Sequence, residues 1–545
     1  MDHPAALADL PTGLAVQDRE STPRQRPRLA IALCLAAGAA AALAPPPFGF
    51  LPGLLGYAAI LALLERSAAR APLRSAFWRG WLAGVGYFLV SLYWLIEPFQ
   101  VDAKDQGWMA PIALAAMVGG MSLYWGLAGF AYRLAAGRSV LRVLWFAAVL
   151  AGCEWLRGRL FTGFPWDLPG ESWRAGSAPS QGAALIGAYG LTWFTLAASA
   201  APVLFFEKGR RALAGLAGPA AIAALWAFGA VRLAHPPPAR PDAPLVRIVQ
   251  ADVPQAEKYD EADFADIVER YVVLTARPAN PPAQVVVWSE GAIPDALGEY
   301  LASGTWTEEM IAGALAPNQT LLTGGYRFAQ DAKGKSIAFN SLAAVRVRNG
   351  RAAIVAVYDK HRLVPFGEYI PFDALAARIG FKQLVHVGQG FTPGPPSRPM
   401  RLSGLPPFQP LICYEALFPG FIRSGARAVG FRPSWIVNVS NDAWFGSGSG
   451  PIQHLNLASY RAIESGLPMV RATPTGYSAM IDAFGRVIPG ERLGHGAFGD
   501  IDAALPPALA PTPYFRFGEA PFAILLLVSL LGTLPLRTSF ARRGR

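Results

Sequence analysis

The chain contains 545 residues, 53% of them hydrophobic and 16% charged, with a formal net charge of +11 at pH 7. This composition is too apolar for a soluble protein of that length and indicates a membrane protein. The basic residues follow the loops between apolar runs and do not cluster on one segment, so we expect no nucleic-acid partner.

The positions of the cysteines and histidines argue against a disulfide-stabilised domain and against a metal-binding protein. Cys34 and Cys153 fall within apolar runs, and Cys413 is alone in the more polar part of the chain, so that part has no disulfide framework and the sequence has no CxxC metal signature. None of the six histidines pairs with another at metal-ligand spacing. We therefore expect no metal and no cofactor.

Long, nearly uncharged runs in residues 29–231 and 520–536 predict a multi-span α-helical membrane bundle. The first run is predicted to be a retained span and not a signal peptide, because a second apolar run follows Ala44–Phe48 at once. The candidate spans are residues 29–44, 50–64, 80–96, 108–132, 143–156, 183–206, 212–231 and 520–536. Several are shorter than the ~20 residues that cross a bilayer core, so the prediction is about eight spans.

Arginine positions predict the orientation of the bundle, because cytoplasmic segments carry an excess of Lys and Arg. With a cytoplasmic N-terminus, most of the basic residues in the bundle and both tails lie inside, and the polar part of the chain lies on the outer face. The predicted organisation is a basic cytoplasmic tail at 1–28, seven spans at 29–234, a Pro-rich linker at 235–244, a soluble domain at 245–515, a last span at 520–536 and a basic cytoplasmic tail at 537–545.

The outer loop after the fifth span, Phe161–Pro169, combines aromatic residues with prolines in the sequence FTGFPWDLP. One interpretation is an aromatic belt that anchors helix ends at the membrane surface. The other is a floor beneath the soluble domain that guides a lipid. The residues alone leave both interpretations open.

The soluble part alternates short β-branched runs with turn residues and two helical patterns. Apolar spacing predicts helices at Glu261–Ala276 and His454–Ser465. The predicted strands lie in LVRIVQ, QVVVW, TLLTGGY, IAFNSLAAVRV, AAIVAVYDK, PLICYE, WIVNVS and PMVRAT. Nearly continuous apolar strands interleaved with helices predict an α/β layered sandwich whose sheets are buried on both faces.

Three of these strands end in residues with complementary chemistry, namely Glu290, Lys360 and Cys413. A cysteine nucleophile needs a base for its proton and donors for the oxyanion of its transition state. We expect a partly buried Glu290 to have the raised pKa of a general base, and Lys360 to hold the oxyanion with the backbone N–H after Cys413. Taken singly, each residue also fits a simpler interpretation, as a buried small hydrophobe or a solvated strand end.

The motifs WSEG, YDKHRLVPFGEYIP, LICYE and NVSNDAWFG, in this order, resemble the nitrilase superfamily. The resemblance implies an α-β-β-α sandwich with a Glu–Lys–Cys triad, in which Glu290 is the general base, Lys360 the catalytic lysine and Cys413 the nucleophile. It also implies five supporting residues in or near the site: Glu368, Glu415, Tyr414, Asn340 and Tyr259. Tyr259 stands where the family commonly has Trp, which keeps an aromatic wall.

With spans before and after the domain, the whole chain is similar to membrane-embedded members of that superfamily that complete bacterial lipoprotein maturation. By this resemblance Cys413 attacks the sn-1 ester of a phospholipid, typically phosphatidylethanolamine, and forms a thioester and a lysophospholipid. The acyl chain then passes to the α-amino group of the N-terminal S-diacylglyceryl cysteine of an apolipoprotein. The implied location is the bacterial inner membrane, with the catalytic domain on the periplasmic side.

Two other functions fit parts of the pattern. A membrane-tethered nitrilase-type amidase would use the same three residues on a small amide with water as acceptor, but it leaves eight spans unexplained. A transporter with an accessory domain would need several ionisable residues inside the bundle, and only Glu154 clearly interrupts the apolar runs.

Three segments near the triad carry further hypotheses. Gly and Pro positions in Ile379–Pro399, together with its Phe, Leu and Val side chains, predict a lid that faces the membrane, with a loop packed on the domain core as the alternative. The motif NVSNDAWFG is predicted to shape the floor of the pocket, with a surface turn at Asn441–Asp442 as the alternative. His361 is expected to position its loop and not to act as a base.

Overall fold

The computed structural model describes residues 27–135, 139–258, 260–370 and 390–533, and the first half of this chain is helical. The principal helices there are α1 Pro27–Ala42, α2 Gly56–Glu65, α3 Pro72–Ser91, α4 Ala110–Leu134, α5 Arg142–Arg157, α6 Ala183–Ala200 and α7 Ala217–Leu233. Short helical turns adjoin them at Leu51–Leu55, Tyr93–Gln100, Ala103–Gln106, Gly107–Met109, Leu160–Thr162, Pro169–Ser172, Pro179–Gly182, Ala201–Phe206, Arg210–Leu213 and Ala214–Leu216.

Every one of the apolar runs singled out in the sequence contains a helix, the last of them Ala520–Thr533, so their helical prediction is confirmed. Within the described ranges, 3 helical segments are long and apolar enough to cross a membrane, and the pair Pro72–Ser91 and Tyr93–Gln100, bent by 49°, makes a fourth if it is one span. The three are Ala103–Leu134, Pro179–Phe206 and Arg210–Leu233. Pro27–Ala42, Leu51–Glu65 and Ala520–Gly532 are shorter apolar helices.

Small residues allow the first helices to pack backbone against backbone. A Cβ placed on Gly38 of α1 would lie 1.8 Å from the carbonyl oxygen of Ala83 on α3, and one on Gly86 of α3 would lie 2.1 Å from that of Leu35. Such close approach is how helices associate where lipid removes the hydrophobic driving force between them. Substituting either glycine would push α1 and α3 apart.

The described residues of the second half form eleven strands in two sheets. The strands are β1 Leu245–Gln250, β2 Val285–Val287, β3 Thr320–Gln330, β4 Ser336–Arg348, β5 Arg351–Asp359, β6 Phe408–Ile412, β7 Trp435–Val439, β8 Met469–Ala472, β9 Ser478–Ile481, β10 Val487–Leu493 and β11 Gly499–Ala504. The larger sheet has the order β11-β1-β2-β3-β4-β5, and the smaller has the order β10-β9-β8-β7-β6. Both sheets contain parallel pairs, as β1 with β2 and β6 with β7 show.

Helices cover the outer face of each sheet. The covering helices are α8 Phe264–Ala276, α9 Trp306–Ala314, α10 Phe421–Val429 and α11 Ser449–Ser465. The second half also contains short helices at Leu297–Tyr300 and Pro513–Phe517 and the C-terminal helix α12 Ala520–Thr533. One apolar core lies between the sheets, and α8 and α9 pack on the larger sheet through a second core. The α-β-β-α sandwich expected from the resemblance is therefore confirmed.

The eight predicted strands are present, and both predicted helices are present with shifted starts, at Phe264 and Ser449. The sequence interpretation missed β9, β10 and β11. Strand β9 has four residues, and β10 is interrupted by Pro489-Gly490, two residues that strands usually avoid. Strand β11 carries two aspartates, which are depleted in strands.

Helix α11 joins the sandwich to the membrane half. Nearly all of its residues are buried, because it packs on the smaller sheet on one side and on the bundle on the other within one continuous apolar core. Polar contacts fix this junction: the Trp166 indole N–H donates to Gln453 at 2.9 Å, and the Asn456 amide donates to the Glu171 carbonyl at 3.1 Å. The loop that contains Phe161–Pro169 is therefore docked on the domain through residues of α11.

Candidate active site

The ends of β2, β5 and β6 meet at one edge of the sandwich. Glu290 follows β2, Lys360 follows β5, and Cys413 follows β6 directly. Strands β2 and β5 belong to the larger sheet and β6 to the smaller, so the site lies where the two sheets face each other. All three residues are at least nine-tenths buried.

Two carboxylates and one amide surround the Lys360 ammonium. Lys360 Nζ lies 3.3 Å from Glu290 Oε1 and 2.9 Å from Glu368 Oε1. The Asn340 amide nitrogen donates to both carboxylates, at 2.8 Å to Glu290 and 2.7 Å to Glu368. The backbone N–H of Asn441 donates to the other oxygen of Glu290 at 2.8 Å. Each carboxylate therefore has a fixed orientation before any substrate binds.

The expected direction of the Glu290 pKa is wrong. Burial alone would raise the pKa of Glu290, but the Lys360 ammonium, the Asn340 amide and Lys258 outweigh it and hold the pKa below its usual value. Burial also opposes the charge on Lys360, yet Glu290 and Glu368 raise the pKa of Lys360 well above the usual lysine range. At neutral pH the resting site therefore contains the Lys360 ammonium beside the ionised carboxylate of Glu290.

Cys413 begins a tight turn, Cys413–Leu417, and has a φ of +47°, in the left-handed region that non-glycine residues seldom occupy. Strained backbone of this kind is found at functional sites, where the surrounding structure imposes it. Burial and the Glu290 carboxylate raise the pKa of the Cys413 thiol to about 12, against the opposing effect of Lys360. The resting Cys413 side chain is therefore a neutral thiol next to a carboxylate.

Glu415 lies behind the nucleophile and joins two loops. Its carboxylate accepts hydrogen bonds from the backbone N–H of Ile412 at 2.9 Å, from that of His361 at 2.8 Å and from the Tyr358 hydroxyl at 2.7 Å. It makes no hydrogen bond to Lys360 among the contacts of the described chain. The predicted supporting role of Glu415 thus takes the form of fixing the Cys413 turn against the loop that carries Lys360.

Tyr414 connects the nucleophile turn to the membrane half. Its hydroxyl donates to the carbonyl oxygen of Gly163, in the loop between α5 and α6. In the same loop, the carbonyl oxygen of Thr162 accepts a hydrogen bond of 3.0 Å from Arg362. The aromatic loop thus contacts the domain beside Cys413, in the place that a floor beneath the domain would occupy.

Two predictions fall partly outside the described residues. Tyr259 is one of the residues that the structure does not describe, and so are residues 371–389, which contain most of the predicted lid Ile379–Pro399. The described end of that segment is bound to the site: the N–H of Phe391 donates to the Glu368 carbonyl at 2.9 Å, and that of Gly394 to the Lys360 carbonyl at 2.8 Å.

The motif NVSNDAWFG is buried around Asp442, so the alternative of a surface turn is wrong. Asp442 is fully buried, and its carboxylate accepts two hydrogen bonds of 2.8 Å from Arg471 Nη2. Ser440 donates to the same carboxylate at 2.8 Å, and His454 Nδ1 lies 3.0 Å from it. The attraction of Arg471 and His454 outweighs burial and lowers the Asp442 pKa to about 2. This ion pair holds the segment that presents Asn441 to Glu290.

Lys258 and Asn441 are site residues that the sequence interpretation missed. Lys258 Nζ lies 3.4 Å from the carbonyl oxygen of Glu290, and burial lowers the Lys258 pKa to about 8. Both lie in or beside conspicuous motifs, VPQAEKYD and NVSNDAWFG, but each reaches Glu290 from a distant part of the sequence, a contact that spacing along the chain does not reveal. The ring of His361 contacts the carbonyl oxygen of Gly394 at 2.9 Å, a contact that suits a residue that positions its loop.

A thiol, a carboxylate and an ammonium held together in a buried site can take an acyl group onto sulfur and pass it to a second nucleophile. This edge of an α-β-β-α sandwich defines a carbon–nitrogen hydrolase type of thiol enzyme, and residues 245–505 match the family model described as carbon-nitrogen hydrolase. Residues 37–201 match the model described as apolipoprotein N-acyltransferase N-terminal domain.

Relatives that align over most of the chain are described as apolipoprotein N-acyltransferases. An apolipoprotein N-acyltransferase of Caulobacter vibrioides is 53% identical over 93% of this chain and 94% of its own. One of Rhodopseudomonas palustris is 38% identical over 92% of this chain and 94% of its own. A solved amidase from Nesterenkonia sp. aligns with 18% identity and a TM-score of 0.33 over 52% of this chain and 97% of its own. The chain belongs to the apolipoprotein N-acyltransferase family.

Proposed function

We propose that this membrane enzyme transfers a fatty acyl chain from a phospholipid to the α-amino group of the N-terminal S-diacylglyceryl cysteine of apolipoproteins, through a thioester on Cys413. Family membership supports the reaction and both substrate classes. The observation that carries the residue assignment is the cluster of Glu290, Lys360 and Glu368 at the strand ends beside the strained Cys413 turn.

In the first half-reaction Glu290 takes the proton of the Cys413 thiol while the sulfur attacks the sn-1 ester carbonyl of the phospholipid. The carbonyl oxygen of the ester becomes an oxyanion, which the Lys360 ammonium and the backbone N–H of Tyr414 stabilise. When the tetrahedral intermediate collapses, the C–O bond breaks and Glu290 returns the proton to the departing oxygen. A lysophospholipid leaves, and the acyl group stays on sulfur.

In the second half-reaction the α-amino group of the apolipoprotein attacks the thioester carbonyl. Glu290 takes one proton from the amine, the C–S bond breaks, and the sulfur recovers that proton. The low pKa of Glu290 keeps it ionised at neutral pH, so it is available as a proton acceptor at the start of both halves. Glu368, Asn340 and Glu415 hold the reacting groups in place, and Tyr414 lines the site.

The same proposal extends to the arrangement in the membrane. The candidate spans 29–44 to 520–536 cross the bacterial inner membrane about eight times, and the domain at 245–515 lies on the periplasmic side, as the arginine distribution indicates. Phosphatidylethanolamine is the proposed donor. Both substrates are anchored in the bilayer by acyl chains, so a domain packed on the bundle receives them from the membrane surface.

An assay of the purified protein tests this function. Phosphatidylethanolamine with an isotopically labelled sn-1 chain is mixed with a synthetic peptide that begins with S-diacylglyceryl cysteine. Mass spectrometry should find the label in an amide at the peptide N-terminus, and Cys413→Ala should form none. Release of the label only as free fatty acid would instead identify a hydrolase and contradict the proposal.

A further inference from the structure

Arg362 presents a preorganised guanidinium two residues after Lys360. Its Nη1 donates to the Thr162 carbonyl at 3.0 Å, and its guanidinium carbon lies 4.3 Å from the centre of the Phe418 ring. Its backbone N–H donates to the Glu415 carboxylate at 3.2 Å. Two contacts therefore fix a half-buried side chain whose planar fork would otherwise be free to rotate, and the third fixes the backbone that carries it.

The charge of this guanidinium is not neutralised by the protein. Arg362 forms no ion pair with any carboxylate of the described ranges, and its described side-chain hydrogen bond goes to a neutral carbonyl. The carboxylate of Glu415 is already occupied by backbone N–H groups and by Tyr358. The nearby Arg159 adds a second cation, paired with Glu519. A guanidinium carries five N–H donors, so Arg362 has donors left for a ligand.

The guanidinium also lies close to the nucleophile turn. Arg362 and Tyr414 reach neighbouring carbonyl groups, those of Thr162 and Gly163, in the same loop of the membrane half. Tyr414 follows Cys413 directly. An anion bound by Arg362 would therefore lie between the membrane-side loop and the reacting sulfur.

We propose that Arg362 binds the phosphodiester of the phospholipid donor and thereby places its acyl ester at Cys413. The inference rests on the proposed function and adds the means by which the donor is recognised. Phosphate oxygens match the planar fork of arginine, and a guanidinium is more weakly hydrated than an ammonium, so a half-buried site favours it.

The test compares acylation of Cys413 by two phosphodiester donors, phosphatidylethanolamine and phosphatidylglycerol, with acylation by a phosphate-free donor, p-nitrophenyl palmitate. In Arg362→Gln, the ratio of either phospholipid rate to the ester rate should fall by about 10- to 100-fold, the range of a lost hydrogen-bonded charge contact. Arg362→Lys should fall less, because it keeps the charge and loses the fork. Arg401→Gln is the matched control. Arg401 also stacks on a phenylalanine ring, that of Phe431, but it precedes β6, whereas Cys413 follows the other end of that strand.

Each other result overturns the inference in a recognisable way. An equal loss with all donors would show that Arg362 only supports the Cys413 turn, and an unchanged ratio would show that it does not bind the donor. A loss with phosphatidylethanolamine alone would mean that the head group is read and not the phosphate. Inhibition of the ester reaction by inorganic phosphate in the parent but not in Arg362→Gln, with no fall in the ratio of phospholipid to ester rates, would assign the site to free phosphate. A parent protein that no donor acylates would contradict the proposed function itself.

Discussion

At the scale of single residues, the site is a set of opposed charges whose balance sets the state of the thiol. Glu290 raises the pKa of Cys413 and Lys360 lowers it, while burial favours the neutral form and is the largest effect. The thiol therefore does not rest as a thiolate–lysine pair. The Cys413 thiol therefore needs a base to become a thiolate at neutral pH, and its reactivity without substrate should increase steadily with pH.

Alkylation of Cys413 by iodoacetamide should show that behaviour. With a pKa of about 12, the thiolate fraction rises about tenfold for each pH unit, so the rate should climb between pH 7 and pH 10 without a plateau. The measurement is peptide mass spectrometry of the site, with Cys413→Ala as blank. A plateau below pH 8 would show a stabilised thiolate and contradict the balance described above.

Replacing the base should slow acylation while keeping one hydrogen-bond acceptor at the site. Glu290→Gln retains a side-chain oxygen for the N–H of Asn441 but loses the ability to take a proton, so single-turnover acylation by phospholipid should slow by about 10²–10⁴-fold. Glu309→Gln, an exposed change on α9, is the control. Acylation of the Glu290→Gln protein at the parent rate would remove Glu290 from its proposed role.

At the scale of elements, the loop between α5 and α6 is held from two sides. From the membrane half, Arg157 donates to the carbonyl groups of Phe164 and Trp166. From the domain, Tyr414 donates to Gly163. Glu154 neutralises Arg157, and both side chains are fully buried. Glu154, the residue that interrupts the apolar runs, thus supports through Arg157 the loop that contacts the Cys413 turn.

This buried pair should behave non-additively. Arg157→Met leaves the buried Glu154 carboxylate without a cation to neutralise it, which typically costs about 3–5 kcal/mol, and Glu154→Gln leaves the Arg157 guanidinium without an anion. The double variant removes both charges, so its loss of stability should be smaller than the sum of the two. Thermal unfolding in detergent measures all three, and strictly additive losses would show that the two side chains do not act as a pair.

At the scale of the whole molecule, sequence patterns predicted the elements better than their contacts. Apolar runs identified the helices, and β-branched runs identified β1 to β8, because burial on both faces leaves a continuous apolar signal. The motifs also singled out Glu290, Lys360 and Cys413, which the structure places after strands that end at one edge of the sandwich. The direction of the Glu290 pKa was not predictable, since it depends on Lys360 at 3.3 Å and on Asn340 at 2.8 Å, distances that spacing along the chain does not contain.

The predicted topology can be measured directly. Reporters fused at the N-terminus and the C-terminus should both indicate the cytoplasm, and one inserted at Ala332, in an exposed turn between β3 and β4, should indicate the periplasm. The arginine distribution is the physical reason. A cytoplasmic signal from Ala332 would invert the orientation and place the domain away from its proposed substrates.

The central claim is that Cys413 carries the acyl group between the two substrates. Mass spectrometry of the protein incubated with phospholipid and no acceptor should find a fatty acyl adduct on the Cys413 peptide that hydroxylamine removes, with none on Cys34 or Cys153. Addition of an S-diacylglyceryl cysteine peptide should discharge the adduct as the N-acylated product. Formation of that product without an adduct on Cys413, or by the Cys413→Ala protein, would contradict the account.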